Sequence, residues 1–342
     1  MVDYMLSQMK YPEQKGLVSV IVPIYNNEAN VKECLDSILA QKFTNWEAIL
    51  VNDGSTDCTG KIIDEYAEKN SQFIAIHKQN EGTLLAKKTG LENSKGEFIA
   101  TIDHDDTYDS QFLEKMHEKI TETNSDFVWC KCQVEEKNSL YYMSDYEWSA
   151  NANENVAKMM IFCQGMSWMT WNKLIRRKIY AKVHFPNVHM VLGEDPVQML
   201  QVAYYSKSTA FVSKSLYFHN LVSGFSTKST QAQHFAAMSL VKKTLKYIFN
   251  GAIPDSVKES FYSRINIYHY FLLDKKTKTQ IREEIEPLIP ELMKREKNVI
   301  MKICLFLANK GIIFPVKIKE WVKHFIICGV WKTRQNALMA EQ

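Results

Sequence analysis

The segment "IDHDDTY", Ile102 to Tyr108, places Asp103, Asp105 and Asp106 within four residues, directly behind the apolar run "EFIAT". Like charges this close raise one another's pKa unless a cation or hydrogen-bond donors hold them. Hard carboxylate oxygens suit Mg²⁺ or Mn²⁺, and such an ion bridges phosphate oxygens of a nucleotide. Alone, the cluster also fits a solvated turn ahead of the helix pattern "SQFLEKMHEKI". What decides between them is whatever else the chain brings to the same place.

Four strand patterns alternate with helix patterns up to this point. "LVSVIVPIY" is a continuous β-branched run, as in a strand buried on both faces. "NNEANVKECLDSILAQ" then sets Val31, Leu35, Ile38 and Leu39 at helical spacing behind an Asn cap. "WEAILVND", "FIAIHKQ" and "EFIATID" read as further strands, separated by "GSTDCTGKIIDEYAEKN", with Ser and Thr caps, and the short helix "TLLAKKTGLENS". Such alternation predicts an α/β fold with a mostly parallel sheet and helices on both faces. Ligands bind beyond the carboxyl ends of the strands in these sheets. Tyr25 and Asn26 follow the first strand, Asp53 the second, Asn80 the third and the acidic cluster the fourth. Four loops converge on one cleft, which favours a ligand site over a bare turn.

Composition narrows the class further. With 46% hydrophobic and 24% charged residues the chain reads as globular, and 42 Lys plus Arg against 39 Asp plus Glu leave only +3, so no nucleic-acid partner is implied. Seven cysteines without a CxxC pair fit a reduced compartment better than a disulfide framework. The start "MVDYMLSQMKYPEQKG" lacks the apolar core of a secretory signal, and no apolar run approaches the roughly 20 residues that span a bilayer. A cytoplasmic location is expected. GxGxxG, GxxxxGK[ST] and HExxH are all missing, which excludes the usual dinucleotide, P-loop and zinc signatures.

"VSVIVPIYNNEANVKECLDSILAQ", "ILVNDGSTDCTGKI", "NEGTLLAKKTGL" and "GEFIATIDHDD" together resemble the N-terminal half of family 2 glycosyltransferases, which have the GT-A fold. The likeness is dense over about residues 17–130 and weaker to about 230. It implies an extension over 1–16, a glycosyltransferase domain over 17–230 and a helical C-terminal region over 231–342. By that resemblance Pro23, Tyr25 and Glu28 wall the nucleoside, with Asn80 on the third loop, and Asp53 accepts a hydrogen bond from the uracil imide of a UDP-sugar donor. Asp103 and Asp105 match the D-x-D pair that holds Mn²⁺ or Mg²⁺ on the diphosphate. Lys87-Lys88 stand where many relatives have Arg-Asn, so Lys87 is expected at the diphosphate as a point charge and not a fork.

Acceptor recognition is expected beyond residue 130. In "GMSWMTWNKLIRR", Trp168 and Trp171 fit either stacking on a sugar ring or the core. Glu194-Asp195 in "VLGEDPVQMLQVAYY" match the family's pair whose Asp takes the proton from the acceptor hydroxyl; Asp195 equally suits the N-cap of a helix opened by Pro196. "LYFHNLVSGFSTKS" has Asn220 where relatives carry Arg, and His219 beside it is read either as a metal helper or as a satisfied structural His. The Q-x-x-R-W motif of processive synthases is absent, which argues for transfer of a single sugar to a glycan or lipid-linked acceptor. From about Lys294 the chain turns basic, with Lys317, Lys319, Lys323, Lys332 and Arg334 among apolar residues. That segment suits a helix on an anionic membrane surface or a homodimer face. Two rival functions remain at this stage, a nucleotide-binding module without transfer and a nucleotidyltransferase, although "PIYNNEA" offers no Gly- and Arg-rich phosphate loop for the latter.

Overall fold

The computed structural model describes residues 9–135, 169–189, 193–220 and 231–261. The chain divides into two compact units, Met1–Val257 and Lys258–Gln342, and the candidate site lies in the first. Trp168 and the basic segment from Lys294 onward lie outside the described residues.

Strands β1 (Gln14–Ile24), β2 (Trp46–Asp53), β3 (Phe73–Lys78), β4 (Gly96–Thr101), β5 (Thr107–Tyr108), β6 (Phe127–Glu135), β7 (Lys173–Arg176) and β8 (Thr209–Asn220) form one sheet in the order β3-β2-β1-β4-β7-β6-β8-β5. The first four run parallel, as the alternation predicts. Beyond them the sheet is mixed: β7 is antiparallel to β4 and β6, β8 is parallel to β6, and β5 is antiparallel to β8. The helices are α1 (Val31–Leu39), α2 (Thr59–Lys69), α3 (Thr83–Glu92), α4 (Phe112–Glu122), α5 (Arg177–Tyr180), α6 (Glu194–Tyr205) and α7 (Gln231–Ile248).

β1 is apolar on both faces because both are covered. Val18, Val20, Val22 and Ile24 share one core with Val31, Leu35 and Ile38 of α1 and Leu113 and Met116 of α4. Ile21 points the other way, toward α3. There a Cβ added at Gly90 would lie 2.4 Å from Ile21 Cγ2, so the helix sits closer to the strand than any side chain at 90 permits.

Three helix starts differ from the sequence expectation. Asn30 precedes α1, but its side chain donates to Asn27 Oδ1 at 3.0 Å and makes no cap bond. α2 starts behind Cys58 and not behind a Ser or Thr cap: Glu28 Oε2 accepts the Cys58 N–H at 2.8 Å, and Asp57 Oδ1 accepts that of Thr59 at 3.0 Å. α6 begins at Glu194, behind Gly193 at φ +85°, a left-handed conformation that favours glycine. Asp195 is therefore inside the first turn and is not the N-cap, which frees its carboxylate for other partners. Pro196 follows in that same turn, where a missing N–H leaves no bond unmade.

Candidate active site

The nucleoside side is built by two laced loops. Asn26, at φ +45°, donates its N–H to Ser55 Oγ at 3.0 Å, and its Oδ1 accepts the Thr56 N–H at 2.8 Å. Asn27 N–H reaches Thr59 Oγ1 at 2.9 Å and Glu28 N–H reaches Asp57 Oδ2 at 3.2 Å. Glu28 thus ties the β1–α1 loop to the start of α2. Pro23 is buried at the end of β1 opposite Val51, while Tyr25 stands 41% exposed at the mouth. Asp53 is buried; its Oδ1 accepts from Glu81 N–H at 3.0 Å and its Oδ2 from Gly82 N–H at 2.8 Å, with Lys78 Nζ at 3.4 Å from Oδ1. It fixes the approach to α3 from the next loop. Asn80 is exposed on that loop, whose backbone passes so close to Gly54 that a Cβ there would lie 2.7 Å from Asn80 N.

The three carboxylates of the opening cluster separate into different surroundings. Asp106 is buried and fully engaged: it accepts from Tyr217 Oη, from Asn220 N–H at 2.8 Å and from His219 Nδ1 at 2.9 Å. Burial opposes a charged imidazole, but Asp106 outweighs it and lifts His219 above its ordinary range. Asp106 thus fixes the orientation of the His219 ring through Nδ1. Asp103 N–H points at Tyr217 Oη, 3.4 Å away, and its carbonyl accepts the Asp106 N–H at 3.1 Å, closing a turn that leaves Asp103 and Asp105 half-buried. Trp171 is 3% exposed and its ring lies on that of Tyr217 at 4.1 Å, with His219 at 5.5 Å. It is a core residue and offers no open face to a sugar.

Behind the acidic turn lies a buried ionic group that the sequence reading did not assemble. Lys87 of α3, 2% exposed, donates to Asp195 Oδ1 at 2.7 Å and to Thr170 Oγ1 at 3.1 Å, and lies 3.8 Å from Glu194 Oε1. Thr170 Oγ1 in turn donates to Asp195 Oδ1 at 2.8 Å. Burial disfavours the Lys87 ammonium, yet Asp195, Asp103 and Glu194 together hold it charged well above the ordinary lysine range. Burial drives Asp103 well above the usual carboxylate range; Lys87 pulls it back, and Asp195, Asp106 and Glu194 push it up again. Glu194 is raised for the same reasons, burial first and Asp195 second. Thr170 carried no signal in the sequence, being a lone hydroxyl between two tryptophans.

Asp103 and Asp105 fit a divalent cation. Burial makes the Asp103 carboxylate costly unless nearby positive charge offsets it. Among the described residues no cage of three or more candidate ligands forms. A Mg²⁺-like ion needs only one or two protein carboxylates, which Asp103 and Asp105 would supply.

The α/β sheet thus brings loops together at its carboxyl edge, with two half-buried carboxylates and a buried acid behind them. The sequence profile of Glycosyl transferase family 2 matches residues 19–195, just over half the chain, and the chain belongs to that family. It is 30% identical over 247 residues to glycosyltransferase GlyA of Streptococcus pneumoniae, covering 69% of this chain and 35% of GlyA. It is 34% identical over 114 residues to the putative teichuronic acid biosynthesis glycosyltransferase TuaG of Bacillus subtilis, covering 33% of this chain and 45% of TuaG. The chain thus spans a third to a half of these relatives. Its fold is that of TarS 1–349 from S. aureus, solved in complex with UDP-GlcNAc: TM-score 0.60, 18% identity, 81% of this chain and 80% of that one. Among the described residues no helix is long and apolar enough to cross a membrane.

Proposed function

We propose that this chain is an inverting glycosyltransferase, moving one sugar from a UDP-sugar to a hydroxyl of a glycan or lipid-linked saccharide in bacterial surface polysaccharide synthesis. The observation that carries the reading is the buried Asp195 carboxylate, held by Lys87 and Thr170 behind the acidic turn. The UDP-GlcNAc bound to TarS supports the donor class, and the name of TuaG supports the polysaccharide setting.

In this reading the β1–α1 and β2–α2 loops wall the nucleoside, with Asp53 on the uracil imide. Mn²⁺ or Mg²⁺ held by Asp103 and Asp105 supplies, when bound, the positive charge that stabilises the departing diphosphate. Asp195 takes the proton of the acceptor hydroxyl while that oxygen bonds to the anomeric carbon from the face opposite the diphosphate. The sugar–oxygen bond to the diphosphate breaks, and its electron pair leaves with the UDP. One displacement inverts the centre, so an α-linked donor gives a β-linked product.

Asp195→Asn keeps the shape and removes the base, but it also deprives the buried Lys87 ammonium of its nearest carboxylate, so thermal unfolding must first show the variant folded at the assay temperature. Transfer, followed by UDP release with the true acceptor, is expected to fall by roughly 10² to 10⁴ while donor binding by calorimetry stays close to wild type. Transfer at near wild-type rate would remove Asp195 from the role and leave Glu194 as the next acid to test.

A further inference from the structure

The two oxygens of Asp195 are not equivalent. Oδ1 accepts from Lys87 Nζ at 2.7 Å and from Thr170 Oγ1 at 2.8 Å, and Thr170 Oγ1 itself accepts from Lys87 at 3.1 Å. These three side chains close a triangle whose corners come from α3, from the segment entering β7, and from α6. Lys87 and Thr170 are 2% and 1% exposed, so water does not compete for these bonds. Asp195 Oδ2 accepts no hydrogen bond from the described residues.

We infer that Lys87 and Thr170 are positioning residues for the base: they pin Asp195 Oδ1 and present Oδ2 as the oxygen that receives the acceptor proton. This rests on the reading of Asp195 as base. Two donors on Oδ1 occupy its lone pairs, one of them charge-assisted, which leaves Oδ2 the better proton acceptor. The same bonds stop the carboxylate from rotating about its Cβ–Cγ bond, so the accepting oxygen is in place before the acceptor arrives. Thr170 is the corner that distinguishes a positioning device from a mere ion pair, because it carries no charge and still spans both partners.

The test uses the full chain and measures kcat and KM by UDP release. Thr170→Val keeps the volume and deletes the hydroxyl. The hydroxyl bonds both Lys87 and Asp195, and losing the bond that positions Asp195 corresponds to about a 10- to 100-fold fall in kcat, with donor KM unchanged. Thr170→Ser is expected to restore kcat to near wild type, which a purely packing role of the threonine methyl would not do. In an Asp195→Asn background Thr170→Val should cost nothing further, since the group it positions is already gone. Should Thr170→Val not fold, Thr170→Ala deletes the same hydroxyl without a clash and is held to the same fall. Wild-type kcat in the folded hydroxyl-less variant, beside an inactive Asp195→Asn, would overturn the positioning role and leave the base standing. An active Asp195→Asn would overturn both.

Discussion

Replacing Lys87 by Met keeps an unbranched stem and removes the ammonium that donates to Asp195 Oδ1. The lysine is 2% exposed, with Asp195 Oδ1 at 2.7 Å and Glu194 Oε1 at 3.8 Å. Removing one partner of a buried pair leaves a desolvated charge and costs about 3–5 kcal/mol, a large share of the roughly 5–15 kcal/mol that a domain has in hand. The loss should depend on pH with a definite sign. Burial already raises Asp103 and Glu194, and Lys87 is what opposes the rise, so without it both climb further. An acid raised by folding is most compatible with the folded state at low pH, and its burden grows as pH rises through the folded value. The Lys87→Met deficit should therefore be smaller at pH 5 than at pH 8. Urea unfolding in metal-free buffer measures it at both values. Adding Asp195→Asn should recover part of the loss, because the stranded charge is then gone as well. A deficit below about 1 kcal/mol, or one that is flat with pH, would refute the view that this pair is buried and mutually dependent.

Asp105→Asn should weaken UDP-sugar binding in the presence of Mn²⁺ and nearly abolish transfer; unchanged metal dependence in an active variant would reject Asp105 as a ligand. Asp53→Ala should weaken uridine nucleotides more than guanosine nucleotides by calorimetry. It also removes the acceptor for the Glu81 and Gly82 N–H groups, at about 1 kcal/mol as for a lost cap, and equal weakening of both nucleotides would trace the effect to that loop alone. Lys173 is 1% exposed and donates to Met169 O at 2.6 Å and Asn172 Oδ1 at 2.7 Å, and burial pushes it down to about 7. A lysine depressed by folding favours the folded state more as pH rises from about 7 toward its unfolded value near 10.4. Thermal unfolding of the wild type should gain stability over that window relative to Lys173→Met, and parallel curves would discount the shift.

What was legible in the sequence followed local pattern. The β-branched run at 18–24 and the segment 46–53 are strands because both faces are covered, and the polar residues behind them do line one edge. The mixed half of the sheet was not legible: β7 is four residues long and β5 only two, too short for any period to show. The acidic cluster was found, but its division was not, since the partners that claim Asp106 come from β8. Lys87 was assigned to a diphosphate by resemblance; only the packing of α3 against α6 shows that its charge faces Asp195. Trp171 was left open between sugar and core, and the stack on Tyr217 decides for core. The Ser and Thr caps of α2 and the Asp195 cap of α6 failed because Glu28 and Asp57 start the one and Gly193 the other, through bonds and a backbone angle that composition does not reveal; Asn30 is drawn off by Asn27.

The span of these partnerships along the chain sets an order of assembly. Every pairing among β1, β2, β3 and β4 lies within the first 101 residues, whereas Lys87 meets Asp195 across 108 positions and Asp106 meets Asn220 across 114. A chain leaving the ribosome at about 5–20 residues per second needs roughly 6 to 24 s between presenting Thr101 and presenting Asn220. For that interval the parallel half can be formed while its acidic turn lacks the end of β8 that holds it, and for most of it Lys87 lacks Asp195 as well. The nascent chain thus acquires the loops of its parallel half well before the partners that complete the acidic turn, and the full constellation arrives with β8.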